Sequence, residues 1–95
     1  MSTSDQNTAL TVARRAVWDT GLSPEVLLAV LRGESTPDWP SRAFCVARLL
    51  ECANWYDVAR IMAPRDICAV WPEVRAHVRS DSIRRGMEYV CRVLQ

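Results

Sequence analysis

Apolar positions along this 95-residue chain recur at helical intervals, and nowhere do apolar and polar residues alternate over the length of a strand. In the first segment, about Thr8 to Thr20, Leu10, Ala13 and Val17 share a face while Arg14 and Arg15 turn away from it. Gly21 ends that segment, because glycine enters the left-handed conformation freely, and Leu22 is then placed to fold back on Val17. Ser23, Pro24 and Glu25 open the next helix as cap, first-turn proline and dipole-facing acid. It runs to Arg32, and Gly33 closes it. Val26 to Leu31 is unbroken apolar sequence, so this helix has almost no polar face and is expected to lie between neighbours.

Glu34 to Trp39 is polar and turn-rich, with Pro37 ahead of a cap at Asp38, and reads as the main loop. A helix over about Pro40 to Ala53 follows. Its Ala43, Val46, Ala47, Leu49, Leu50 and Ala53 cover more than half the circumference, which makes it the central helix, with Cys45 and Cys52 flanking Arg48 at the apolar margin. Asn54 and Asp57 form a shortened capping box for Trp55 to Met62, and Pro64 with Asp66 starts another helix almost at once, forcing a sharp corner. Pro72 inside a continuous helix would remove the bond to Cys68 at about 3 kcal/mol, so a break is expected at Trp71, with a restart over Pro72 to Arg79. After caps at Ser80, Asp81 and Ser82, the last helix, Ile83 to Leu94, carries an apolar seam of Ile83, Met87, Val90 and Leu94. Arg84, Glu88 and Arg92 pair along its other face.

Gly86 interrupts that helix where alanine is better by about 0.8 to 1 kcal/mol. The expected reason is a helix crossing too close for a Cβ, namely the central helix at Ala43 or Ala47. The pattern as a whole predicts an all-α fold, a compact single-domain bundle of five to seven short helices over residues 1–95, with residues 1–7 as a disordered polar tail. Trp39, Trp55 and Trp71 recur every 16 residues, but the residues around them do not repeat.

Composition narrows the function more than it names it. Nearly half the chain (49%) is apolar and only 3 residues are glycine, which argues for a folded domain. The net charge of +1 gives no global field toward nucleic acid or membrane, so any anion site is local. All basic residues are arginine. Their placement is uneven: residues 1–59 carry −2 and residues 60–95 carry +3. Arg75, Arg79, Arg84 and Arg85, with His77, face only Asp81 among nearby acids, and form a candidate surface for phosphate or an acidic partner. The plain alternative is a solvated face with intrahelical pairs. With no 18-residue apolar run and no leader pattern, no membrane partner is expected, and the location is expected to be cytoplasmic.

Cys45, Cys52, Cys68 and Cys91 lack CxxC spacing, so free buried thiols are expected, with a metal site of Cys68, His77 and Cys91 as the rarer reading. Cys45 and Cys52 lie about 10.5 Å apart along one helix and cannot bridge each other. One histidine and no nucleophile or phosphate-loop signature leave no catalytic, cofactor or metal residues to assign, and the chain reads as not an enzyme. Four tryptophans exceed what a core of this size absorbs, so at least one is expected at a contact surface, with Trp39 beside the loop the chosen one.

Asp57 to Trp71 also reads as a degenerate helix-turn-helix, although Ile67 to Trp71 offer no polar group to base edges. Phe44-x-x-Ala47-Arg48-Leu49-Leu50-Glu51, then Asn54-Trp55-x-Asp57-Val58, Asp66-Ile67 and Ser80 to Leu94, resembles a family of small uncharacterised bacterial helical proteins. Their pattern is an Arg-containing helix, a Gly-Asp-x-x-Asp turn and a Tyr-Gly link; Ala53-Asn54 and Ala63-Pro64 stand here in place of the Gly-Asp and Tyr-Gly pairs. Members are often encoded beside nucleotidyltransferase-type toxins, so the resemblance implies a toxin partner or antitoxin. The expected function is binding to another protein or to an identical subunit as a homodimer. The alternative is a nucleic-acid-binding regulator using the arginine-rich surface.

Overall fold

The structure, a computed structural model, describes residues 3–94. Six α-helices follow one another: α1 Thr3–Val17, α2 Pro24–Leu31, α3 Arg42–Cys52, α4 Trp55–Ile61, α5 Pro64–Val74 and α6 Asp81–Leu94, with a 3-10 turn at Arg75–His77 after α5. No strand occurs among the described residues. The radius of gyration of 12.5 Å matches the roughly 12 Å of a single folded domain of this length. The fold is the expected all-α single-domain bundle. Of the seven residues read as a tail, Met1 and Ser2 lie outside the described residues, and α1 begins at Thr3.

Local chemistry ends and starts these helices largely as read. Gly21 and Gly33 both have φ of +76°. At Gly33 its N–H reaches the Val30 carbonyl and the Glu34 N–H the Ala29 carbonyl, the paired bonds that close a helix around a left-handed residue. The Ser23 and Asn54 side chains accept from the backbone N–H groups of Val26 and Asp57, whereas α3 is capped not by Asp38, as expected, but by Ser41, whose side chain accepts from the N–H of Phe44 and starts the helix at Arg42.

Packing begins with α1, whose Ala9, Val12, Ala13, Ala16 and Val17 are buried. Its small residues admit α2 and α3 close to it. The apolar α2 lies against both α1 and α3, burying Leu27, Leu28, Val30 and Leu31, as its lack of a polar face demanded. Central α3 buries Val46, Ala47, Leu49 and Leu50, and also Cys45, which the sequence placed at the margin. Arg48 of α3 ties back to α1: its Nε–H donates to the Ala16 carbonyl at 2.9 Å and its terminal nitrogen to Asp19 at 2.6 Å. Around this centre, α4 packs on α1 and α3, α5 on α3, and α6 on α5.

The break expected at Trp71 does not occur. α5 runs through Pro72 to Val74 and the chain turns extended only at Val78. Ile67, Trp71 and Val74 are all buried on one helical face, while Pro72 points to solvent. Burying Trp71 and Val74 on either side, at roughly 1.5 to 3 kcal/mol for a large apolar side chain, outweighs the proline's cost of about 3 kcal/mol.

Candidate functional site

Ala53 and Asn54 are extended, and the Asn54 cap starts α4 directly after α3, so the chain turns a tight corner. The corner brings Leu50, Ala53, Trp55 and Val58 to one side of an open groove. Ile83, Gly86, Met87 and Val90 of α6 form the opposite wall, and the groove encloses about 340 Å³. Its lining is almost wholly apolar. Leu50, Val58 and Met87 are buried at its base, whereas Trp55 is 40% exposed at its mouth.

Gly86 corrects the expected docking of the last helix. A Cβ built on it meets nothing within 4 Å, and the residue is exposed. No helix crosses there. α6 is held instead on its other side by α5, through Met87 and Cys91 in the core and an ion pair between Arg75 and Glu88 at 3.7 Å. Held along that edge, α6 stands away from the α3–α4 corner, and Gly86 faces the space between.

The residues singled out in the sequence fall into two groups. Trp39 is 61% exposed, and its ring lies 5.8 Å from that of Phe44, which in turn meets His77 edge-on at 6.4 Å. Arg79 lines a polar cleft with Phe44, Arg48, Glu51 and His77, so Trp39 and Arg79 share the α3 side of the molecule through Phe44. Arg84 and Arg85 lie on α6. Arg75 is bound to Glu88 and Arg84 to Asp81, which differs from the expected pairing among Arg84, Glu88 and Arg92. Arg79 and Arg85 have no charged partner among the described residues. The five positions therefore do not converge on one site.

Exposed aromatics beyond Trp39 escaped the sequence reading. Trp18 is 80% exposed and Tyr56 81%, and Tyr89 and Val93 of α6 are also exposed. The available signal lay in α6, where Tyr89 and Val93, four apart, widen its apolar arc beyond the seam that packs.

Cys68 and Cys91 form a disulfide between α5 and α6, with Cα atoms 5.3 Å apart. This corrects the expectation of four free cysteines: the pair is 23 residues apart, and only the packing of α6 on α5 reveals it. Cys45 and Cys52 are free. Burial pushes the Cys45 thiol up to about 11, so it holds its proton and is inert at neutral pH. No group of metal-ligating side chains assembles among the described residues. In the stretch read as a helix-turn-helix, Ile67 and Trp71 face the core, leaving Arg65 and Asp66 exposed at the start of α5. Among the described residues no helix is long and apolar enough to cross a membrane. No protein-family model, curated protein or solved structure matches the chain.

Proposed function

We propose that this protein is a small interaction domain that receives an amphipathic helix of a partner protein in the groove between α6 and the α3–α4 corner. The observation that carries this reading is the open groove itself, with Gly86 unopposed in its wall. Ile83, Gly86, Met87 and Val90 stand at i, i+3, i+4 and i+7, the stripe into which the side chains of a second helix interdigitate. Gly86 lowers that stripe at its middle, so a second helix can approach closely. From Ile83 to Val90 this wall runs about 10.5 Å, or two turns. Exposed Tyr89 and Val93 extend the apolar surface outward from the groove. Binding rather than catalysis is the activity in this reading. The resemblance to proteins encoded beside nucleotidyltransferase-type toxins supports such a toxin as the partner, with this chain as its antitoxin.

The test is co-expression with the protein encoded beside this one, followed by affinity measurement with wild type, Val90→Arg, Gly86→Arg and the pair Arg79→Ala with Arg85→Ala. Binding weakened more than about tenfold by either groove variant, and unchanged by the arginine pair, is the expected result. Binding indifferent to the groove variants overturns the reading. Light scattering on the chain alone reads the homodimer: self-association abolished by Val90→Arg would make a second copy the occupant. The nucleic-acid alternative predicts duplex DNA binding that falls steeply with salt, each phosphate-contacting arginine adding about one unit to the slope.

A further inference from the structure

α6 combines sparse burial with a covalent link to its neighbour α5. It enters through the short link Val78–Ser80, and of its fourteen residues only Met87 and Cys91 are buried. Ile83 and Val90 are half-buried, Tyr89, Val93 and Leu94 are exposed, and Gly86 touches no neighbour. Its packing partner is α5. The Arg75–Glu88 pair at 3.7 Å lies on the surface between half-exposed side chains, where such pairs hold little. Beside the core packing of Met87, the Cys68–Cys91 bridge is the covalent fastening, and it sits ten residues into the helix from Asp81, about 15 Å from the link. Between link and bridge lie Ile83, Gly86, Met87 and Val90, the groove wall. The bridge thus holds the far end of a wall that is hinged at its near end.

The bridge is also within reach of solvent. Cys68 is half-buried, and a hollow open to the surface, lined by Trp71, Glu88, Cys91 and Arg92, lies beside its partner. Cys91 lies at the α5–α6 edge of the core cluster and Cys68 packs against it, away from the α1–α2 side.

We propose that Cys68–Cys91 is a redox clasp that sets the position of α6 and thereby the width of the groove; the regulatory part of this proposal rests on the groove being the docking face. In the oxidised chain the wall is fixed. A dithiol reductant delivers two electrons: one of its thiolates attacks a bridge sulfur to form a mixed disulfide, its second thiolate displaces the protein sulfur, and the reductant leaves as its own disulfide. Cys68 and Cys91 each take up a proton as free thiols. α6 then swings on the Val78–Ser80 link, and Met87 and the α5 face beneath it become accessible.

The experiment is amide hydrogen exchange on the full native chain, oxidised and after treatment with dithiothreitol, alongside the Cys68→Ser/Cys91→Ser double variant. Exchange across residues 81–94 is expected to speed up by about tenfold or more on reduction, with amides in α1, α2 and α3 changing little. The double variant should exchange like the reduced chain and not respond to reductant. Three outcomes overturn the clasp: a bridge that dithiothreitol reduces only after denaturation, unchanged exchange in α6, or equal acceleration in every helix, which would make the bridge a staple for the whole fold. None of these readouts uses a partner. Groove variants that leave partner binding intact while α6 responds to reductant would sink the docking reading and leave the clasp standing.

Discussion

The α1–α3 core and the α6 flank solve the same problem with different physics. Leu27, Val30 and Leu31 of α2 and Val46 and Leu49 of α3 are fully buried against α1 and one another, and form one continuous apolar cluster. That burial, at roughly 1.5 to 3 kcal/mol per large side chain, holds the three helices against one another with no covalent link between them. α6 has an apolar arc as marked as any in the chain, yet it buries two residues and depends on a disulfide to a neighbour 23 residues away. An amphipathic pattern therefore reports a face that can be buried, not one that is. Where the two differ, apolar surface remains for a partner.

Substitutions can pull the two regions apart. The largest effect is expected from Leu49→Ala in the core: a loss of about 2 to 5 kcal/mol in urea unfolding, common to all probes. A loss well under 1 kcal/mol would remove Leu49 from the centre of the fold. Next comes the double variant Cys68→Ser/Cys91→Ser, for which loop closure over this separation gives a loss of roughly 3 kcal/mol, expected in the local opening of α6 and not in the unfolding of the α1–α3 core. Here the comparison sharpens, because far-ultraviolet dichroism of the variant should keep the signal of α1–α3 under conditions where α6 exchanges freely.

A third test lies in alkaline solution. Burial raises the Cys45 thiol from its ordinary 9.0 to about 11. The unfolded chain therefore loses this proton first, and the folded state binds more protons between those values. The contribution of Cys45 is fully present below pH 9 and is lost as pH rises toward 11, amounting to roughly 3 kcal/mol. Unfolding followed between pH 8 and 11 should show the decline in wild type and a shallower one in Cys45→Val. Equal slopes would mean the thiol is solvated, and that the core is looser around α3 than its burial indicates. The smallest effect is a gain. Gly86→Ala has open space for its methyl group, and should raise unfolding free energy by about 0.5 to 1 kcal/mol. Destabilisation would place another helix against Gly86 and close the groove.

The last prediction reverses the sign that the sequence suggested, and the reason is general. A glycine inside a helix records the absence of a side chain, which suits an enclosed crossing and an open docking face equally well. Pro72 poses the same problem in the opposite direction: its local cost is legible, but the burial of Trp71 and Val74 that overrides it is not. The candidate surface was legible only in fragments. Trp39 was found because four tryptophans exceed what a core of this size absorbs and it lies beside the polar loop, whereas the groove combines residues from α3, α4 and α6 whose separation in sequence carries no common signal.

By itself the sequence determined the helical class, the order of the helices and most of their ends, since periodicity, Ser and Asn caps, prolines at first turns and glycines at φ of +76° act within a few residues of where they stand. It also determined that α2 would lie between two neighbours, α1 and α3, because a helix with almost no polar face must bury most of its surface, although Val26 stays exposed. Only the tertiary structure decided that Cys68 meets Cys91, that Arg48 reaches back to Ala16 and Asp19, and that Arg75 spends its charge on Glu88. It alone decided that α6 leans on α5 and leaves its other side open. These outcomes depend on the angle at which one helix sits against another, and that angle is set by the sum of many side-chain contacts across the core, none of which is encoded at a fixed distance along the chain.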